Sequence, residues 1–259
     1  MSFSQSFIEV DGCRTHLRRG GSGAPLLFLH GASGAPVILP FMETLAQRFE
    51  VLAPEHPGYG RSEEPGWLDN IHDVAYFYLD FLKHLNLNQV MLVGNSLGGW
   101  IAMEMAVRDT SRIKALVLVS PAGISAPGVQ PADTFLMSPE DLARHLFHDP
   151  RLAEARLAEP ATPESIDLAL KNRHTTARLA WEPRFHDPHL WKWLHRIDIP
   201  VQIIWGEQDR ILPLAFLDEF KKRMPKAQVH VMKDAGHLPH VEKPQEFCDL
   251  VAGFAQGGA

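Results

Sequence analysis

A serine stands between glycines at Gly94-Asn95-Ser96-Leu97-Gly98. An apolar run, Val90 to Val93, precedes it and a helical pattern begins at Leu97. A chain that turns from strand to helix through one residue projects that side chain outward, and flanking glycines remove the Cβ atoms that would collide across the turn. The chemistry such a serine could do is nucleophilic attack. A serine hydroxyl is weak alone; it needs a base to take its proton and an acid to orient the base. Asp209 follows the apolar run Val201 to Gly206, and His237 follows the run Ala227 to Met232. Serine, acid and base in that chain order suit a serine on such a turn. Glu207 is the nearest competitor for the acid, while Asp198 precedes its run and belongs to the wrong end. His240 is the competitor for the base.

A developing oxyanion needs two N–H donors. The N–H of Leu97, first in the helix after the serine, is one, and the helix dipole assists it. The other is assigned to Ala32, in the loop His30-Gly31-Ala32-Ser33-Gly34. The Ser33 hydroxyl has two readings, a further oxyanion donor or a turn cap, and the cap is preferred.

These residues must be held by an alternation of strands and helices. Phe3 to Val10 and Arg14 to Arg19 form a hairpin across Asp11-Gly12. Strands follow at 26–30, 51–54, 90–94, 115–120, 201–206 and 227–232, most of them apolar on both faces, as parallel strands covered by helices are. Helical patterns run over Pro36 to Arg48, Asp69 to Leu85, Leu97 to Arg108, Leu214 to Met224 and Pro244 to Phe254. This is a doubly wound α/β pattern of eight mostly parallel strands. It lapses between Ile124 and Ile197, where several short helices are expected. The expected organisation is therefore a core, 1–123 and 198–259, with a helical cap, 124–197, inserted between two sheet strands. Nine basic and ten acidic residues balance the cap.

The chain has 259 residues, 45% of them hydrophobic, and a formal net charge of -6, enough for a large core and without the basic stripe that nucleic acid requires. The start, MSFSQSFIEV, has no secretory pattern, and no apolar stretch is of membrane-spanning length. Cys13 and Cys248 make neither a disulfide framework nor a metal cluster. A cytoplasmic protein needing no cofactor is the expectation, with a small-molecule partner, no nucleic acid or membrane, and the oligomeric state open, a homodimer included. His186-Asp187-Pro188-His189 matches no common metal spacing and is read as cap surface.

Taken together, His30-Gly31, the loop Glu55 to Ser62, the elbow Gly94 to Gly99, Asp209, and Gly236-His237 with Glu242 and Pro244 resemble the α/β-hydrolase superfamily. The resemblance spans nearly the whole chain. It implies the α/β-hydrolase fold and a Ser96–His237–Asp209 triad. Glu55 departs from the family's usual aspartate. Serine at 96 separates the chain from haloalkane dehalogenases and epoxide hydrolases, which use aspartate. A carboxylesterase is the leading expectation. The elbow also resembles that of meta-cleavage-product C–C hydrolases, in which Arg173 would be the cap arginine; the loop ASGAPV and Leu238, where they usually carry tryptophan, count against them. Lactonases, thioesterases and ligand receptors share the fold. An apolar pocket between elbow and cap is expected, lined by Trp100, Phe135, Met137, Trp181 and Leu238, with Leu136, Phe147, Trp191 and Trp193 as further candidates.

Overall fold

The computed structural model describes residues 2–35 and 37–257. Its sheet has eight strands in the order β1-β2-β4-β3-β5-β6-β7-β8. These are β1 (Ser4–Val10), β2 (Cys13–Gly21), β3 (Ala24–Leu29), β4 (Phe49–Pro54), β5 (Val90–Asn95), β6 (Ile113–Val119), β7 (Val201–Gly206) and β8 (Gln228–Met232). β2 runs antiparallel to both of its neighbours, and the rest of the sheet is parallel. The hairpin turn lies at Asp11 and Gly12, both with positive φ, the pairing a two-residue type I′ loop requires.

The central strands are apolar on both sides because each side meets a different core. Leu27, Leu29, Leu92, Leu116, Leu118, Ile203 and Trp205 face one cluster. Their alternates Leu26, Phe28, Met91, Val93, Val117, Val119 and Ile204 face the other. Period-2 alternation thus serves two layers of helices. The first layer contains α2 (Ile71–His84) and α3 (Leu97–Arg108); the second contains α1 (Pro40–Leu45) and the last helix, α9 (Pro244–Gly257). α3 buries every residue from Leu97 to Val107, since α2 packs beside it and Arg196 Nε donates to its Val107 carbonyl from the other flank.

Helix bounds differ from the expectation, and two of the shifted starts have a local cause. The pattern over Pro36 to Arg48 yields only Pro40–Leu45, because Leu39 is extended (φ -99, ψ 153) before Pro40; a residue before proline is disfavoured in the α region. Pro36 itself lies outside the described residues. The Asp69 start moves to Ile71, where Asn70 caps the helix and Asp73 returns a bond to the Asn70 N–H.

Between β6 and β7 the chain carries α4 (Pro139–Leu146), α5 (Pro150–Ala158), α6 (Pro163–Ala180) and two 3-10 turns, Leu190–Lys192 and Leu194–Arg196. After β7 come α7 (Phe216–Arg223) and, before α9, α8 (Pro239–Glu242). Among the described residues no helix is long and apolar enough to cross a membrane.

The strand order decides where the loops meet. From β3 the chain passes through α1 to β4 on one side; from β4 it passes through α2 to β5 on the other. Loops leaving the carboxyl ends of β3 and β5 therefore diverge from a crevice, the place where open α/β sheets bind ligands.

Candidate active site

Ser96 stands between β5 and α3 at φ 53, ψ -115, a conformation that costs a non-glycine residue about 1–3 kcal/mol. Closely packed backbone holds it there. Its N–H donates to the Val119 carbonyl, and its own carbonyl accepts from Trp100 and Ala122. A Cβ on Gly98 would stand 2.1 Å from the Leu29 carbonyl oxygen, and one on Gly94 would stand 2.3 Å from that of Gly98. Only glycine lets α3 start this close to β3. The Ser96 hydroxyl makes no capping bond to the helix, so the side chain is not used structurally.

His237 Nδ1 lies 2.8 Å from Asp209 Oδ2, and both residues are buried. Asp209 Oδ1 accepts from the N–H groups of Ile211 (2.9 Å) and Leu212 (2.8 Å). Those bonds point Oδ2 at the imidazole, and an ionised carboxylate then requires His237 Nδ1 to carry the proton and leaves Nε2 as acceptor. The loop bearing His237 is fastened from two directions. Its N–H donates to the Leu146 carbonyl at 2.9 Å. Glu242 accepts from Gly236 N–H through Oε1 (2.5 Å) and from His148 and Asp149 N–H through Oε2 (2.9 Å each). Glu242 thereby ties the loop to the junction of α4 and α5.

The competitors lie elsewhere. Glu207 is exposed and accepts from Gln208. His240 is buried among Phe28, Phe41 and Phe247, and its Nδ1 has no partner. Asp198 is bound by Thr110 Oγ1 at the opposite end of β7.

The 31–34 turn lies beside Ser96: a Cβ on Gly31 would meet the Ser96 Cβ at 3.4 Å. The turn closes through Gly34 N–H to the Gly31 carbonyl (3.0 Å), which His30 Nδ1 also engages at 2.8 Å. His56 N–H donates to His30 Nε2, so Nδ1 is the protonated nitrogen of His30. Among the described residues, neither the Ala32 nor the Leu97 N–H donates to a protein acceptor.

Three imidazoles in this region are held neutral. Burial pushes His30 down to about 4 and His240 to about 3, and lowers His56 well below the usual value. Each takes up a proton only on unfolding, near pH 6.5, so their contribution is complete above about pH 6.5 and is lost as pH falls towards the folded values. The loss is about 1.4 kcal/mol per pH unit for each histidine. His240→Leu should make the fall in unfolding free energy between about pH 6 and pH 5 shallower by one such increment. Denaturant titrations at both pH values test this; equal slopes for variant and parent would contradict it.

A sequence model of the α/β hydrolase fold matches residues 24–244. The chain belongs to the α/β hydrolase fold family. The 2-hydroxymuconate semialdehyde hydrolase of Pseudomonas sp. strain CF600 is 30% identical to it, over 95% of this chain and 92% of that protein. A bacterial membrane phospholipase A superposes with a TM-score of 0.82 at 25% identity, covering 98% of this chain and 86% of that one. The 2-hydroxy-6-oxo-6-phenylhexa-2,4-dienoate hydrolase of Rhodococcus sp. strain RHA1 has a TM-score of 0.80 at 20% identity, covering 98% and 99%.

Several expected pocket residues of this α/β hydrolase lie elsewhere. Trp100 is buried in the core and donates through Nε1 to Glu104. Trp181 is 49% exposed, with the Arg184 guanidinium over its ring. Trp191 and Trp193 are exposed, and Leu136 is 79% exposed. Phe135 packs on Trp181 and Phe185. Met137 and Leu238 are half-buried against the core. Phe147 lines a groove of about 280 Å³ with His148, Ala153, Leu157, Arg144 and Arg210.

Asp187 is not surface: it is 8% exposed and meets His72 Nε2 at 3.3 Å. His72, Glu104 and Asp187 present ligand-type atoms within 4.8 Å of one another. The Arg108 guanidinium already stands among them, bound to Glu104 and 2.6 Å from His72 Nδ1. Arginine only donates, so His72 Nδ1 accepts and Nε2–H is left for Asp187. The group latches the segment after α6 onto α2 and α3.

Proposed function

We propose that this α/β hydrolase is a serine hydrolase of carboxylic esters with small to medium apolar groups, acting through an acyl-enzyme. The observation that carries the reading is the pairing of two things: Ser96 on a strained strand–helix junction, and an imidazole on the last loop oriented by Asp209. A serine held at positive φ (φ 53, ψ -115) without a capping bond is a strained arrangement with no structural use, and such strain clusters at functional sites.

In the proposed cycle the Ser96 hydroxyl attacks the ester carbonyl while His237 Nε2 takes its proton. Asp209 holds the imidazole tautomer and stabilises the imidazolium. The N–H groups of Leu97 and Ala32 receive the negative charge on the carbonyl oxygen. The tetrahedral adduct collapses, the C–O bond to the alcohol breaks, and His237 returns the proton to the leaving alkoxide. Water, deprotonated by His237, attacks the acyl-enzyme and releases the carboxylic acid and Ser96. The cycle as proposed uses protein groups and water alone.

A C–C bond hydrolase of meta-cleavage products is the second reading. The 2-hydroxymuconate semialdehyde hydrolase relative and the Gly-Asn-Ser-Leu-Gly-Gly elbow favour it. Against it stand Leu238 in place of tryptophan and the exposed Arg173, whose guanidinium donates to the Phe135 carbonyl. The test is turnover of p-nitrophenyl esters from acetate to decanoate beside a ring-fission dienoate. We expect the best ester to exceed the dienoate in kcat/KM. Turnover of the dienoate alone would establish the second reading. Binding without turnover of either would mark a receptor.

A further inference from the structure

We propose that Asn172, on α6, is a positioning residue for the oxyanion hole: it holds the 31–34 turn so that the Ala32 N–H faces the reacting carbonyl. The inference rests on the Ser96 nucleophile proposed above.

Asn172 is 8% exposed, in the middle of a helix. Asparagine is a poor helix former, and a buried amide costs stability unless both its ends are bonded. Both are. Oδ1 accepts from Gly60 N–H at 2.8 Å, and Nδ2 donates to the Ser33 carbonyl at 3.0 Å. A backbone N–H only donates and a carbonyl only accepts, so these partners leave the amide one orientation. The amide also fills the space beside Gly34, which has φ +83; a Cβ there would stand 2.5 Å from Nδ2. The turn is thus pinned at its outer corner by a side chain from the inserted helices.

The turn's inner corner carries the donor. In a trans peptide the carbonyl of Gly31 and the N–H of Ala32 point in opposite directions. Gly34 N–H and His30 Nδ1 hold that carbonyl, which turns the Ala32 N–H away from them. Releasing Ser33 lets the turn rotate about its ends and carries the Ala32 N–H with it. Thr176 Oγ1 also reaches the turn, 3.2 Å from the Ala32 carbonyl, but its proton has a nearer acceptor in the Asn172 carbonyl at 2.7 Å. Asn172 makes the undivided bond. Thr175 and Lys171, on the same helix, bond to Gly58, Gly60 and Ser62 instead; they fasten α6 without touching the turn.

The experiment compares parent, Asn172→Asp, Thr175→Val and Ser96→Ala. The readouts are melting temperature, ester kcat and KM, and the rate of Ser96 phosphonylation by an alkyl fluorophosphonate, followed by mass spectrometry. Phosphonylation places a P=O in the oxyanion hole whatever the natural substrate. Aspartate at 172 still accepts from Gly60 but sets an oxygen against the Ser33 carbonyl. Removing a whole oxyanion donor costs about 10²–10³ in rate; a displaced one should cost Asn172→Asp about 10- to 100-fold in both labelling and acetate kcat, with KM little changed. Thr175→Val should lower the melting temperature without slowing labelling. Labelling of Asn172→Asp at the parent rate, or an equal loss in Thr175→Val, would overturn the inference while leaving Ser96 as nucleophile. A parent that is not labelled would remove the nucleophile and the inference together.

Discussion

Ser96→Ala is expected to lower kcat on the best p-nitrophenyl ester by about 10³-fold or more, with the melting temperature nearly unchanged. The large effect follows from the loss of the one protein atom that bonds the acyl carbon in the proposed cycle. The small structural effect follows from the geometry. The Ser96 hydroxyl does not cap α3, and alanine at φ 53 carries the same Cβ strain as serine. The elbow's shape belongs to Gly94, Gly98, the bond from Ser96 N–H to the Val119 carbonyl and the bonds from Trp100 and Ala122 N–H, none of which the substitution removes. Activity retained by the purified variant would refute the assignment.

Asp209→Asn is expected to reduce kcat by about 10³–10⁴. The asparagine Oδ1 can keep both bonds from Ile211 and Leu212, so the loop stays in place. The amide nitrogen then faces His237 Nδ1 where the carboxylate oxygen stood. It can only donate, so it drives the imidazole proton to Nε2, and the nitrogen that is the base of the proposed cycle can no longer accept. Glu207→Gln is the matched control. Glu207 is exposed and bound to Gln208, and its loss should change kcat by no more than a few-fold. A large loss in Glu207→Gln with activity kept in Asp209→Asn would reassign the acid.

Much of the core was legible because its signals are local. Val90 to Asn95 leading into Leu97 shows as an apolar run followed by a helix, and Gly94 and Gly98 announce a close approach. Asp11-Gly12 announces the hairpin. The start of α1 differs from the expectation because the apolar pattern over 36–48 continues across Pro40, while the backbone before a proline resists helix. The orientation of the candidate pocket aromatics is not written in the sequence. Tryptophans at 100, 181, 191 and 193 have the right type for an apolar site, yet type does not say which face they turn. Trp100 turns into the core towards Glu104, and Trp181 turns out under Arg184.

The long-range bonds of Glu242, Arg108 and Asn172 carry no signal in spacing. Their partners are backbone groups and charges that lie far along the chain: Glu242 meets His148 and Asp149, Arg108 meets His72, and Asn172 meets Ser33 and Gly60.

Read alone, the chain establishes the strand–helix alternation, the glycine-flanked serine, and an acid and a histidine on the loops after β7 and β8, because periodicity and turn chemistry are written in neighbouring residues. Only the tertiary structure selects Asp209 over Glu207, buries His240 among phenylalanines, sets the 31–34 turn against Ser96, and brings a helix of the inserted segment onto that turn. Those outcomes depend on strand order and on contacts between residues far apart along the chain, and such contacts are decided by how the layers pack.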